Sequence, residues 1–204
     1  MGSRTGAPMR RCGWAEGSRL MIAYHDREWG VPVYDDRKLF EYMVLDGFQA
    51  GLSWAIILNK RESFHEAFDN FEPEKIARYT TRRIERLLSD PRIIRNRQKI
   101  TATVTNARAF RKIQEEFGSF AVFMWQFVEG KPRHNSWKTM RQIPARTKES
   151  ARMSRVLQGR GFKFVGPTIC YAFMQAAGMV NDHLVGCFRH AEVRALEKRG
   201  GVSR

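Results

Sequence analysis

Helical spacing of apolar residues dominates the chain between its two polar ends. Leu39, Phe40 and Met43 recur at short helical intervals after Asp35 and Asp36, either of which can cap a helix. The same spacing predicts further helices around residues 52–58, after Pro73, around 84–88, and over 96–117, 120–128, 147–159 and 168–179. Alternation of apolar and polar positions, which marks strands, is brief everywhere. The pattern therefore predicts an all-α protein.

The length of 204 residues suits one domain or two closely packed lobes. We expect the helical domain to span residues 10–190. Residues 1–9 are expected to be a disordered N-terminal tail or a remnant of an expression tag, and residues 191–204 a C-terminal tail. The chain contains neither the pattern of a signal peptide nor an apolar run long enough to span a bilayer. Together with an odd count of three cysteines, this predicts a protein of the reducing cytoplasm without a membrane partner. A monomer is the default expectation for its oligomeric state.

Positive charge is the first indication of function. The chain carries 36 Lys and Arg against 21 Asp and Glu, a net charge of +15. A surface of this kind attracts polyanions, with nucleic acid the leading candidate. Solubility alone is the weaker explanation, because it does not require so large an excess of one sign.

Two Cys and two His form a candidate metal site from the two ends of the chain. Cys12 precedes His25, and His183 and Cys187 are four residues apart, so on a helix the second pair would share one face. Two Cys and two His complete a tetrahedral zinc site and leave no open position, which would make the metal structural. Spacing alone leaves a second interpretation open, that of a buried thiol with surface histidines.

Aromatic and polar residues of two segments form a candidate pocket. Tyr24, Trp29 and Trp54 could offer flat faces to an extruded base, while Asp46 or Gln49 could contact its edge. A cationic base would gain further from the aromatic faces and the carboxylate. On pattern alone, an aromatic core with an Asp near a helix end is the favoured interpretation.

A basic turn between two predicted helices is a candidate phosphate-binding site. The candidate DNA contacts at this turn are Arg92, Arg95, Arg97 and Lys99, and Lys163 is assigned to the same surface. A helix N-terminus offers free N–H groups to phosphate, and the cations add a salt-sensitive attraction. A solvated hairpin is the alternative, but the net charge favours DNA contact.

Taken together, these residues resemble the DNA-3-methyladenine glycosylase I family of bacterial repair enzymes. The matching blocks are RCGW at 11–14, YHDREWGVP at 24–32, GFQAGLSW at 47–54, IIRNRQKI at 93–100 and GFKFVGPTICYAFMQAAGMVNDHLVGC at 161–187. The blocks are long and ordered, and they extend over most of the chain.

The resemblance implies a helix-hairpin-helix fold and a monofunctional glycosylase that excises 3-methyladenine from double-stranded DNA. It implies one structural zinc ion on Cys12, His25, His183 and Cys187. The implied pocket residues are Tyr24, Trp29, Asp46 and Trp54, with Asp46, Tyr24 and Trp54 in the catalytic roles. Gly51 and Leu52 correspond to a turn that wedges into DNA, and residues 90–97 to the phosphate-binding hairpin.

The sequence departs from this family at two positions. The family carries Glu where Asp46 stands, and a shorter carboxylate could change the preferred base. The turn Asp90-Pro91-Arg92 lacks the Gly usual in helix-hairpin-helix turns. Two alternatives to the implied activity therefore stay open: a zinc-stabilised DNA-binding protein without catalysis, and a glycosylase for a different alkylated purine.

Overall fold

The computed structural model describes residues 9–197, and these residues are mostly helical, as predicted. The predicted N-terminal tail lies outside the described residues except for Met9, which is exposed. The α-helices are α1 (Arg19–Arg27), α2 (Asp36–Gln49), α3 (Trp54–Asn59), α4 (Arg61–Ala67), α5 (Pro73–Ala77), α6 (Thr81–Ser89), α7 (Arg97–Phe117), α8 (Phe120–Trp125), α9 (Lys148–Gly159), α10 (Pro167–Ala176) and α11 (Phe188–Glu197). Short 3-10 helices are Gly13–Gly17, Asp69–Phe71, Gln126–Val128 and Met140–Gln142. In the described part of the chain, no helix is both long and apolar enough to cross a membrane.

Local sequence determines where the main helices begin. The side chains of Asp35, Thr80, Asn96, Ser119 and Thr147 each accept a backbone N–H from the first turn of α2, α6, α7, α8 and α9, respectively. Such caps satisfy amide groups that the helix itself leaves without partners. The predicted starts near residues 35, 96 and 147 are therefore confirmed.

One carboxylate joins the start of α2 to the start of α8. Asp36 accepts hydrogen bonds from the backbone N–H groups of Phe120 and Ala121, each at 2.8 Å. The same carboxylate accepts from the side chains of Gln114 and Ser119. An anion at a helix N-terminus is favourable, so Asp36 fixes α8 against the first turn of α2.

The interior contains a large and a small hydrophobic cluster. The large cluster includes side chains of α2, α7, α8, α9 and α10, with Phe48, Phe110 and Phe162 fully buried. The small cluster contains Cys12, Met21, Tyr24, Trp29, Leu58 and Cys187. Trp54 packs against both clusters, so this candidate pocket residue lies where the two meet.

Two predictions about secondary structure are wrong. Arg133–His134 and Val180–Asn181 form a short parallel β-pair, although no strand was expected. The strands are two residues long, too short for a detectable alternation in sequence. The C-terminal tail was expected from residue 191, but residues 191–197 belong to α11. Val193 in that helix is fully buried.

Gly178, which follows α10, lies close to the backbone of Val31 and Pro32. This close packing predicts a loss of stability on substitution. The φ of Gly178 is +67°, and an added Cβ would lie 2.2 Å from the carbonyl carbon of Val31 and 2.4 Å from the nitrogen of Pro32. We expect Gly178→Ala to destabilise the protein by at least about 3 kcal/mol, because backbone must move in addition to the strain of positive φ. Urea denaturation measures this loss.

Gly118 provides the matched control for that measurement. It also has a positive φ of +79°, but no atom lies within 4 Å of an added Cβ. Gly118→Ala should therefore cost only the left-handed conformation, about 1 kcal/mol. Equal losses in the two variants would contradict the proposed close packing at Gly178.

Candidate active site and metal centre

A cavity of about 360 Å³ lies where the two hydrophobic clusters meet. It is lined by Trp14, Tyr24, Trp29, Asp46, Gln49, Trp54, Met140, Ile143, Pro144, Ala145, Thr168, Tyr171, Ala172 and Gln175. The structure thus brings together all the residues that the sequence proposed for a pocket. It adds Trp14, the segment 140–145 and one side of α10, which sequence reasoning did not assign.

Aromatic rings from the N-terminal part of the chain line the cavity in two contacting pairs. The ring centroids of Tyr24 and Trp54 are 5.1 Å apart, and those of Trp14 and Trp29 are 4.9 Å apart. Tyr24 and Trp54 are therefore already in contact with each other. A flat ligand would therefore lie against the surface that the two rings share, because no space is left between them.

Two polar atoms in the cavity wall are buried without partners. Asp46 is 3% exposed on α2, and its Oδ2 has no hydrogen-bond partner among residues 9–197. The same holds for Nε1 of Trp54. Burial raises the pKa of Asp46 well above its ordinary value. Unsatisfied polar groups of this kind are costly, and a polar ligand in the cavity would satisfy them.

A second carboxylate, Asp182, contacts two residues that line the cavity. Asp182, fully buried, accepts hydrogen bonds from the Tyr171 hydroxyl at 2.6 Å and from Gln175 Nε2 at 2.7 Å. Nδ2 of Asn135 and Nε1 of Trp137 donate to its other oxygen. Asp182 therefore orients two residues that line the cavity. Its position in the block 161–187 was visible in the sequence, but its partners were not.

The four predicted metal ligands meet in one buried cluster. Cys12, His25, His183 and Cys187 each offer a ligand atom, and these atoms lie within 4.8 Å of one another. Nδ1 of His183 is 3.8 Å from Sγ of Cys12 and 3.7 Å from Sγ of Cys187, while Nε2 of His25 is 3.5 Å from Sγ of Cys187. Tetrahedral coordination at ordinary bond lengths places sulfur and nitrogen ligands about 3.5 Å apart. The donor set and its spacing therefore fit a metal ion.

Outer contacts orient both histidines toward this centre. Nδ1 of His25 is 2.7 Å from a carboxylate oxygen of Asp26, which in turn binds Arg11. Nε2 of His183 is 2.9 Å from the carbonyl oxygen of Trp29. Each histidine thus directs its remaining nitrogen to the cluster, an arrangement typical of metal ligands. Because Trp29 also lines the cavity, it joins the Cys/His cluster to the cavity wall.

His183 and Cys187 do not share a helix, which is one of the arrangements that their spacing allows. Both lie in the loop between Val180–Asn181 and α11. Cys187 N–H donates to the carbonyl oxygen of Leu184, so a turn returns the second ligand toward the first. A four-residue spacing is compatible with such a turn as well as with a helix.

The predicted DNA-contacting residues differ in availability. Leu52 is 38% exposed in the turn after α2, next to Gly51 with φ of +82°. Arg92 pairs with Asp90 and Glu66, and Arg97 pairs with Glu85. Arg95 and Lys163 are also exposed.

Lys99 does not lie on the basic surface where the sequence placed it. Its side chain is buried, with 8% of the residue exposed, and Nζ donates to the carbonyl oxygens of Phe48 and Ala50. The proposal of a direct phosphate contact by Lys99 is therefore corrected. The helical period around residue 99 turns this one cation toward α2 and away from solvent.

The burial of Asp46 generates a prediction about pH. We expect Asp46→Asn to raise the free energy of unfolding, and the gain to grow as pH rises above about 4, the ordinary pKa of an Asp carboxyl. The unfolded carboxyl ionises near pH 4, but burial raises the folded pKa, so wild-type stability falls as pH rises between the two values. Asparagine has no such proton to lose. Urea titrations of both proteins at several pH values test this, and a gain independent of pH would contradict it.

Comparisons with known proteins agree with this geometry. The model of the methyladenine glycosylase family matches residues 14–190. The chain is 50% identical to DNA-3-methyladenine glycosylase 1 of Escherichia coli K12 over 179 residues, which cover 88% of this chain and 96% of that protein. It superposes on a crystal structure of 3-methyladenine DNA glycosylase I with a TM-score of 0.86 at 50% identity, covering 88% of this chain and 98% of the other.

A second solved structure shows how its protein recognises 3-methyladenine. This 3-methyladenine DNA glycosylase I from Staphylococcus aureus has a TM-score of 0.85 and 37% identity, covering 89% of this chain and 97% of that chain. The family match extends over most of the chain and includes every residue of the cavity wall. The chain therefore belongs to the methyladenine glycosylase family.

Proposed function

We propose that this protein excises 3-methyladenine from alkylated double-stranded DNA by hydrolysing the bond between base and sugar. The observation that carries the proposal is the pair of unpartnered atoms, Asp46 Oδ2 and Trp54 Nε1, in the wall of an aromatic cavity. An extruded base requires such faces for stacking and such polar atoms for its edge. Membership of the family and the printed activities of the relatives support the same substrate.

The charge of the lesion explains why a buried carboxyl is useful here. Purine methylated at its 3-position is cationic while attached to the sugar, so it is already a good leaving group. Placing this cation against Asp46 favours the ionised carboxylate, which burial disfavours in the empty cavity. Tyr24 and Trp54 contribute a cation–π interaction with the same charge. The site thereby discriminates in favour of a cationic base over an ordinary neutral one.

The catalytic residues of this proposal act by binding and orientation. Asp46 accepts hydrogen bonds from the purine edge, Tyr24 and Trp54 stack against its face, and Trp29 supports them. These contacts hold the leaving group while the sugar becomes oxocarbenium-like and water attacks it. We propose no lyase step, because no lysine is among the described residues that line the cavity, and such a step requires an amine that attacks the sugar.

Contact with DNA surrounds the mouth of the cavity in this proposal. Leu52, exposed in the turn after α2, fills the gap that the flipped base leaves. Arg95 and Lys163 contact phosphates directly. Arg92 and Arg97 would have to exchange their carboxylate partners for phosphate, which makes them weaker contributors than the sequence implied.

Two helical hairpins are candidates for the helix-hairpin-helix element. The sequence pointed to residues 90–97 between α6 and α7, but the connection between α9 and α10 fits better. Gly161 in that connection has a φ of +92°, and α10 begins after Gly166 without a side-chain cap. Free N–H groups at this helix start suit a phosphate, and the adjacent Thr168 lines the cavity. We therefore place the principal phosphate contact at the start of α10.

Zinc is the metal that we propose for the cluster of Cys12, His25, His183 and Cys187. Two thiolates with two imidazoles are its typical structural ligands, and no position remains for substrate. Its contribution is to hold the N-terminal segment against the C-terminal loop. We further propose that the protein acts as a monomer in the bacterial cytoplasm, where chromosomal DNA is available.

Variants of Asp46 test the excision proposal directly. Methylated DNA is incubated with each protein, and released bases are separated by chromatography. We expect wild type to release 3-methyladenine, Asp46→Asn to release it roughly 100-fold more slowly, and Asp46→Glu to retain most activity. All three should bind DNA with similar affinity, because Asp46 lies inside the cavity.

The products of this assay also separate the alternatives. Equal rates for wild type and Asp46→Asn would remove Asp46 from its assigned role. Release of other alkylpurines would indicate that the shorter carboxylate broadens the substrate range. DNA binding by zinc-loaded wild type without release of any base would support a protein that only binds DNA.

Removal of a metal ligand tests the structural role of the cluster. Cys187→Ser should lose most bound zinc and several kcal/mol of stability, because metal-binding free energy contributes to folding. Zinc content by mass spectrometry and thermal unfolding provide the two readouts. Cys170→Ser is the control, since Cys170 is equally buried but belongs to the hydrophobic core. Full zinc occupancy in Cys187→Ser would refute the assignment.

A further inference from the structure

Lys99 provides an unusual connection between α7 and the end of α2. Its Nζ is 2.8 Å from the carbonyl oxygen of Phe48 and 2.7 Å from that of Ala50. Carbonyl groups in the last turn of a helix lack partners within that helix, and a cation is favourable beside them. The Lys99 ammonium therefore completes the C-terminus of α2.

One of the two residues that accept a hydrogen bond from Lys99, Ala50, directly precedes the exposed turn at Gly51 and Leu52. Ala50 is followed by Gly51, which has a φ of +82°, and by the exposed Leu52. The N–H of Leu52 donates to the carbonyl oxygen of Gln49, which closes the turn. Lys99 thus fixes the backbone on which the Leu52 side chain is presented.

The backbone of Lys99 is held by two further hydrogen bonds at the start of α7. The backbone N–H of Lys99 donates to the side chain of Asn96, the cap of α7, and its carbonyl oxygen accepts from the Thr103 hydroxyl. Burial lowers the pKa of Lys99, in keeping with an ammonium enclosed by protein. A buried cation with two carbonyl partners has a defined position, unlike the flexible lysines of a phosphate-binding surface.

We infer that Lys99 is a positioning residue, which orients the Gly51–Leu52 turn for insertion into DNA at the flipped base. This inference rests on the proposed function for the wedging role of Leu52. In this role Lys99 contacts the protein backbone and not a DNA phosphate. The two roles therefore predict a different salt dependence of DNA affinity when Lys99 is replaced. A lysine that contacts phosphate changes the slope of log Kd against log salt concentration by about one when removed, whereas a positioning residue leaves that slope unchanged.

The experiment compares Lys99→Met with Lys163→Met and Lys112→Met. Affinity is measured at several KCl concentrations for a duplex with a tetrahydrofuran abasic site and for the same intact duplex. Lys163 represents a surface phosphate contact, and Lys112 is an exposed lysine on the same helix as Lys99. Release of base from methylated DNA and binding of free 3-methyladenine are measured in parallel.

We expect Lys99→Met to lose about tenfold in preference for the abasic duplex and in rate of base release, with an unchanged salt slope. Binding of free 3-methyladenine should be unaffected, because Lys99 does not line the cavity. Lys163→Met should reduce the salt slope, and Lys112→Met should resemble wild type. Lys99→Arg, which keeps a cation with several donors, should restore most of the preference for the abasic duplex.

Other outcomes would overturn the inference. A reduced salt slope in Lys99→Met would return Lys99 to the phosphate contacts, and an unchanged preference for the abasic duplex would remove it from the wedge. Should Lys99→Met fail to fold, the neutral variant Lys99→Gln provides the same comparison. Failure of the proposed function is recognised separately, because wild type would then release no base while the binding measurements still report on Lys99.

Discussion

The convergence of Cys12, His25, His183 and Cys187 is the constraint on which the rest of the structure depends. These residues come from opposite ends of the chain, and their ligand atoms share one buried site. Closing so long a loop restricts the unfolded chain strongly, and a bound metal would supply the free energy to hold it closed. The bond from His183 to the Trp29 carbonyl transmits this order to the cavity, since Trp29 forms part of its wall.

The cavity wall contains polar groups whose burial lowers the stability of the protein. Asp46 and Trp54 each bury a polar atom that finds no partner in the described chain, although the nearby Asp182 has all its contacts satisfied. Both carboxylates come from buried segments, and their difference lies in the surrounding donors. Asp182 orients Tyr171 and Gln175 in the cavity wall. Asp46 keeps an unpartnered oxygen that a ligand in the cavity could bind. Unsatisfied groups of this kind are typical of functional sites, where binding supplies the missing interaction.

The chain has a net charge of +15, but not all the cations that the sequence assigned to DNA contact are available for it. Arg92 and Arg97 already have carboxylate partners, and Lys99 is directed inward. The uncommitted N–H groups at the start of α10 lie beside the cavity, because Thr168 in this turn lines it. Long-range attraction to DNA follows from the total charge, but the position of the bound strand depends on which cations remain available.

Sequence by itself indicated the helical class, the helix starts near residues 35, 96 and 147, the four members of the Cys/His cluster, and five of the residues that line the cavity. Caps and apolar periodicity act over three or four residues, so they can be recognised locally, and the long blocks identify the family. Tertiary structure alone decided that Lys99 faces α2, that Asp182 supports the cavity wall, and that residues 133–134 pair with 180–181. Each of these depends on a partner distant in sequence, whose position is fixed only when the helices pack.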